Sequence, residues 1–411
     1  MFRYGRSNAG FFWQQFGKRR YEVVEKFISK KDLVRQTVEQ TVSPADPPET
    51  KLRKLYTRAQ QIHHLRPAET EEERKKQHIE ENKNVEDVLK RGYGVGWDIN
   101  VLFLAMVRAA GFDSALVWLA PRNRFWFHKE LLDSEQLGAH VVWVKAGGKE
   151  LFLDPATPMA PFGFLTWEQA DAGGVKLVSS GVEFVHTPAA LPSEAVIERI
   201  ASVGLNASGD LEGTLKVSFV GNEAIYLRED AQDQDEEHKR ERLERMAAGW
   251  LPNGARAKLE SAQGWEAKDQ PLIASYSITV PAFAAVTGRR LLFPVSLFGL
   301  PRESAFQYAS RKYAVDLPFP YQCVDELAIK VPSGYEVENV PEDHTETANF
   351  ASYALTAQKE GDTLRVRRRF TMIASSFTVE GYPVVYTFMK KTKGYDQQQA
   401  ILKHSEPAVL K

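Results

Sequence analysis

The sequence predicts an α+β protein made of two successive parts. The first is a buried helix packed on an antiparallel sheet, and the second is a β-sandwich-like domain with helical excursions. Three observations lead there. Residues Ile99 to Val107 are apolar on nearly every side, broken only by Asn100, so a helix there has no solvent face and must be enclosed. The apolar runs His140 to Lys145 and Glu150 to Asp154 flank Ala146-Gly147-Gly148-Lys149 as the strands of a hairpin flank their turn. Beyond Pro192 the pattern changes to alternation, with Leu215, Val217 and Phe219 spaced as one face of a strand.

Composition bounds the answer. The chain of 411 residues is long enough for two or three cores. Its formal net charge of −1 gives no global electrostatic reason to expect nucleic acid or an anionic membrane as partner. A single cysteine, Cys323, excludes an intrachain disulfide framework and a cysteine-based zinc site. No cofactor or metal is expected, since His63, His64 and His78 are too loosely arranged to mark a metal centre. No apolar stretch approaches the ~18 residues of a membrane span, and the first residues lack the apolar core and cleavage site of a signal peptide.

In chain order, residues 1–50 read as a helical lead-in. Lys18 to Val42 carries a rough apolar stripe that Ser43-Pro44 ends. The first domain then spans 51–190. A helix covers Lys51 to His64, and the mixed-charge run Glu69 to Glu81 reads as a solvated helix or loop face. The buried helix begins near Gly96, where Asp98 suits a first-turn acid, and Gly111 suits its left-handed cap. In the hairpin, a three-residue loop over 146–148 would set His140 opposite Asp154. A two-residue loop would pair His140 with Pro155 and turn Asp154 to the other face; the three-residue loop or an equivalent bulge is expected.

Thr187 to Pro192 reads as a linker, and the second domain occupies 195–411. Strands are expected at about 195–205, 211–220, 256–263, 273–281, 289–293, 323–331, 349–358, 363–373 and 377–379. A long helix over 222–250 interrupts them and another over 381–403 closes the chain. Cys323 reads as a small buried hydrophobe at a strand start. Arg365-Val-Arg-Arg-Arg369 reads as a solvent-facing sheet edge, since its alternate residues split between faces and no aromatic platform accompanies it.

The segment Asp87 to Asp98, with Arg91-Gly-Tyr-Gly-Val-Gly-Trp-Asp98, followed by Gly138-Ala139-His140-Val-Val-Trp and Glu150-Leu-Phe-Leu-Asp154-Pro155, resembles the transglutaminase-like superfamily. The resemblance covers roughly Lys51 to Val185. It implies a papain-like core with a Cys-His-Asp triad, of the bacterial multidomain type with a β-sandwich domain following. His140 and Asp154 fill two triad positions as relics, while Gly96 stands where the nucleophilic Cys would open the buried helix. The resemblance also implies a β-rich domain before this point. The opening Asn8 to Gly17 reads like the middle of a protein, so either a truncated or a naturally shortened member is expected; if truncated, the missing part would carry any export signal, with a periplasmic location.

Losing the thiol removes the covalent acyl intermediate that makes such chemistry accessible. The chain is therefore expected to be a pseudoenzyme. It would bind a peptide, protein or glycan in the former substrate cleft, with Trp97, Asp98, Trp126, Phe162 and Phe164 as candidate cleft residues, or hold neighbouring domains as a scaffold. The alternative is an active hydrolase or acyl transferase that uses another nucleophile or a water activated by the His-Asp pair.

Overall fold

The structure, a computed structural model, describes residues 9–65, 79–232 and 234–405. Most of the mixed-charge run, His78 included, lies outside the described residues. The chain divides into two compact units, Met1–Ala190 and Leu191–Lys411.

In the first unit the lead-in forms two helices, α1 (Ala9–Ile28) and α2 (Asp32–Thr41), rather than the one expected from Lys18 to Val42. Helix α3 (Pro48–Ala59) starts on a proline, whose missing N–H costs nothing at a helix start. It stops short of the expected His64, because His63–His64 is a short strand, β1, paired in parallel with β2 (Tyr93–Gly94). Helix α4 (Val85–Arg91) is capped by the Asn84 side chain, which accepts from the Glu86 and Asp87 amides. Helix α5 (Gly96–Ala109) is the enclosed helix the sequence predicts, buried throughout from Asp98 to Val107. It packs on α1 to α4 on one side and on the sheet on the other. Gly111 follows it at φ 88, the left-handed cap.

The sheet is antiparallel throughout. It comprises β3 (Asp113–Leu119), β4 (Ala139–Ala146), β5 (Lys149–Leu153), β6 (Gly173–Val178) and β7 (Gly181–His186), in the order β5-β4-β3-β6-β7. The β4–β5 turn corrects the expectation. Ala146 pairs with Lys149 and Lys145 with Glu150, so the loop is the two residues Gly147-Gly148. Their φ values of 57 and 77 suit a turn whose twist matches that of the strands.

Helix α1 is seated on this sheet by a close approach. A Cβ on Gly17 would lie 2.3 Å from the Gly181 carbonyl oxygen, so only glycine fits there. Beside it Trp13 is fully buried and its indole N–H donates to the Lys129 carbonyl at 2.7 Å. The Gln14 side chain bonds the Val182 backbone N–H and carbonyl.

The second unit is β-rich. Its eight-stranded sheet has the order β10-β11-β9-β8-β15-β19-β18-β17. The members are β8 (Ala195–Leu205), β9 (Leu211–Gly221), β10 (Arg256–Gln263), β11 (Leu272–Val280), β15 (Tyr321–Lys330), β17 (His344–Thr347), β18 (Ala351–Glu360) and β19 (Thr363–Met372). A four-stranded sheet joins β12 (Ala285–Thr287), β13 (Arg290–Pro294), β21 (Gln399–His404) and β16 (Tyr335–Asn339). The pair β14 (Val315–Asp316) and β20 (Ser376–Phe377) completes it, β20 being shorter than the expected 377–379. The expected long helix is two, α6 (Asn222–Ala231) and α7 (Glu236–Ala248). The closing helix α8 (Tyr382–Asp396) gives way to strand β21 before the expected 403.

The Arg365–Arg369 cluster is not at a sheet edge: β19 lies between β15 and β18. Arg365, Arg367 and Arg369 are exposed, but Arg368 turns inward. Its Nε donates to Asp325 Oδ2 at 2.8 Å and its Nη1 to Asp396 Oδ2 at 2.5 Å. Arg199 donates from Nε to Asp325 Oδ1 at 2.7 Å and lies between the rings of Trp250 and Phe298. Burial alone would raise the Asp325 carboxyl, but the two guanidiniums hold it below its ordinary value. Cys323 lies in the same buried cluster and burial pushes its thiol up to about 12, so it is inert as a nucleophile.

Removing one partner of such a cluster strands a buried charge. Arg368→Met should therefore destabilise the protein by about 3–5 kcal/mol, whereas Arg367→Met, on the exposed face, should stay within about 0.5 kcal/mol. Denaturant titration of both variants checks this, and equal midpoints would contradict the assignment.

Candidate functional site

The start of α5 is where the sequence places the reacting position. Val95 enters with extended backbone, and Asp98 on the first turn accepts from the Val95 N–H at 3.3 Å and from Asn82 Nδ2 at 3.0 Å. Asp98 is thus the cap-like residue the sequence suggests. Burial raises its carboxyl above the ordinary range, with the Asn82 and Val95 bonds opposing.

Gly96 is the first residue of the helix. The atoms nearest to the Cβ it lacks are His64 Nε2, at 3.3 Å, and Ala156 Cβ, at 3.7 Å. His64 is thus a residue of the site that sequence reasoning left in a helix. The β1–β2 bridge carries its ring over the helix start, and a two-residue parallel bridge has no sequence signature.

His140 projects from β4 beside Trp118 of β3, its register partner, with the rings edge-on at 4.1 Å. Its Nε2 is buried without a hydrogen-bond partner. Burial, with a smaller push from the Arg20 charge, lowers its pKa to about 4, so the ring is neutral at pH 7.

Asp154 does not serve that ring. Its Oδ1 accepts from Asn100 Nδ2 at 2.8 Å and from the Ala156 N–H at 3.1 Å. Its Oδ2 accepts from Thr157 Oγ1 at 2.7 Å and Gln169 Nε2 at 2.5 Å. A carboxylate offers about four acceptor positions, and these four donors fill them. The two-residue turn explains this. Its register ends with Val142 opposite Leu153; carried on, it would set His140 opposite Pro155, and Asp154 lies just past the end of β5. Asn100, the one polar residue between Ile99 and Val107 of α5, ties the two together: its Nδ2 also donates to the His140 carbonyl at 3.0 Å.

Beside His140 lies an open cleft of about 370 Å³ lined by Arg20, Val23, Val24, Trp97, Trp118 and His140. Trp97 is therefore brought to His140, its ring also resting on Phe27 at 4.7 Å. The other candidates are not among the lining residues. Phe162 packs on Tyr56 at 5.5 Å, with the Arg53 guanidinium 4.5 Å above its ring. Trp126 is 46% exposed under Arg122 and Phe164 is half-buried. Arg20, Val23 and Val24, which the sequence assigned only to the lead-in helix, form one wall. No cluster able to hold a metal ion occurs among the described residues, and no described helix is long and apolar enough to cross a membrane.

Comparison with known proteins agrees with this fold. The transglutaminase-like superfamily matches residues 35–146, and a domain of unknown function with a solved structure (DUF3858) matches residues 289–402. Among solved structures the chain is similar to a crystal structure named "putative protease" from Parabacteroides distasonis ATCC 8503, with a TM-score of 0.50 and 12% identity. The match covers 94% of this chain and 58% of that one, so this chain spans little more than half of the other's length. No curated protein matches.

Two outcomes are expected. Asp154→Ala should cost about 2–4 kcal/mol, because it leaves several buried donors unpaired, whereas His140→Leu should be neutral or stabilising, because it removes an unsatisfied polar atom; thermal melts compare them. A thiol introduced by Gly96→Cys in a Cys323→Ser background should alkylate with a midpoint within about one unit of the ordinary ~8.5. That midpoint should be unmoved by His140→Ala, since a neutral imidazole offers no charge to hold a thiolate. A strongly depressed, His140-dependent midpoint would instead mean a working Cys-His pair.

Proposed function

The chain carries a transglutaminase-like superfamily domain at residues 35–146, followed by a further domain, and on that premise we propose that it is a non-catalytic binding protein that receives a peptide beside His140. The observation that carries this reading is the engagement of Asp154: all its acceptor positions hold structural donors, and no carboxylate orients His140. Three further points support it. Position 96 has no side chain. The lone thiol, Cys323, is buried in the second unit. And a histidine titrating at about 4 is a weak base near neutrality, where general-base catalysis favours a pKa close to the working pH.

What remains is recognition. The cleft volume of about 370 Å³ is at the small end of ligand sites, and its walls are mostly aromatic and aliphatic. Peptide is the ligand class favoured here because the similarly folded structure bears the name of a protease.

The test pairs an activity assay with a binding screen. Incubation with unstructured peptides and casein should release no amine above the level of His140→Ala. A screen of peptides and glycans should yield peptide ligands whose affinity falls at least tenfold in Trp97→Ala. Turnover that survives Cys323→Ser and vanishes in His140→Ala would favour a hydrolase that uses activated water. Binding indifferent to Trp97→Ala would favour a scaffold.

A further inference from the structure

Arg20 and His140, in the cleft, have polar groups left without hydrogen-bond partners among the described residues, as does Trp118 in its buried indole N–H. Arg20 is exposed, and its guanidinium lies over the Trp118 ring at 4.7 Å and the Phe16 ring at 5.6 Å. No carboxylate pairs with it among the described residues. Against the same Trp118 ring, at 4.1 Å, lies His140, and neither of its ring nitrogens has a hydrogen-bond partner. Trp97, Trp118, Val23 and Val24 complete the lining, and no lining residue is acidic.

An unpartnered guanidinium on an aromatic face is a ready receptor for a carboxylate, because the planar fork matches the two oxygens. A neutral imidazole can add one N–H. The same charge on Arg20 disfavours an amine in the cleft. The apolar walls then require an apolar group next to the anion, and the volume admits roughly one large side chain. Val23, on the rim, is 49% exposed, which leaves a way out for a chain running on from the bound residue.

We propose that the cleft captures the free C-terminal carboxylate of a peptide ending in a large apolar residue, with Arg20 and a ring N–H of His140 on the carboxylate and Trp97 and Trp118 against the side chain. This rests on the peptide-binding reading above and narrows it to one end of the chain.

The experiment is calorimetry on the full chain with a hexapeptide ending in phenylalanine, the same peptide as its C-terminal amide, and 3-phenylpropionate. The acid peptide should bind, its amide at least tenfold more weakly. Arg20→Gln should lose at least tenfold for the acid and almost nothing for the amide, while Arg20→Lys should recover part of the loss. Arg20 is exposed, so neither variant threatens the fold. Equal affinity for acid and amide would overturn the carboxylate assignment while leaving the peptide reading intact. Equal affinity for 3-phenylpropionate and the peptide would overturn the peptide end as the source of the carboxylate. Binding of none of the three would bring down this inference and, if the wider peptide screen is also empty, the reading beneath it.

Discussion

One side-chain amide ties the enclosed helix of the first unit to the strand and the loop beside it. Asn100 is the single polar residue inside the all-apolar span of α5, and its Nδ2 donates both to the His140 carbonyl and to Asp154. In a site shielded from water these bonds are strong, and leaving any partner bare is costly. Asp154 passes the constraint onward to Thr157 and Gln169. From α3, the Tyr56 hydroxyl closes on the Asp154 carbonyl at 3.0 Å. Helix, strand end and the following loop are therefore fixed by one small polar knot. The carboxylate that the family resemblance would assign to chemistry is occupied by structure, and the His140 ring is left neutral, its Nε2 without a hydrogen-bond partner.

How much of this was legible depended on the range of the interactions. The enclosed helix could be read from Ile99 to Val107 because burial on every side leaves a continuous apolar run, and its ends from Asp98 and Gly111 because caps are local. The hairpin was visible but its register was not. Gly147-Gly148 permits either loop length on composition, and the choice follows from matching the twist of the strands, which no residue announces. The break between α1 and α2 falls at Ser29-Lys30-Lys31, with neither proline nor glycine to mark it. His64 became part of the site through a pairing with residues thirty positions away.

The second unit shows the same limit from another side. Arginines at 365, 367, 368 and 369 look alike in sequence, and period-two alternation predicts that they divide between faces. It does not predict that Arg368 is retained inside by Asp325, 43 residues away, and by Asp396, 28 residues away. A buried arginine is intelligible only once its carboxylates are in place, because an unpaired charge would not remain in the interior. The exposed arginines of the strand carry no such obligation.

The contact between Gly17 and Gly181 decides what lines the cleft. It brings α1 against the sheet, and with it Arg20, Val23 and Val24. All three stand ahead of residue 35, where the match to the superfamily begins. Half of the cleft's lining thus comes from a segment outside the matched residues. Changes in that one helix would reshape the cleft while the core and its polar knot stay as they are.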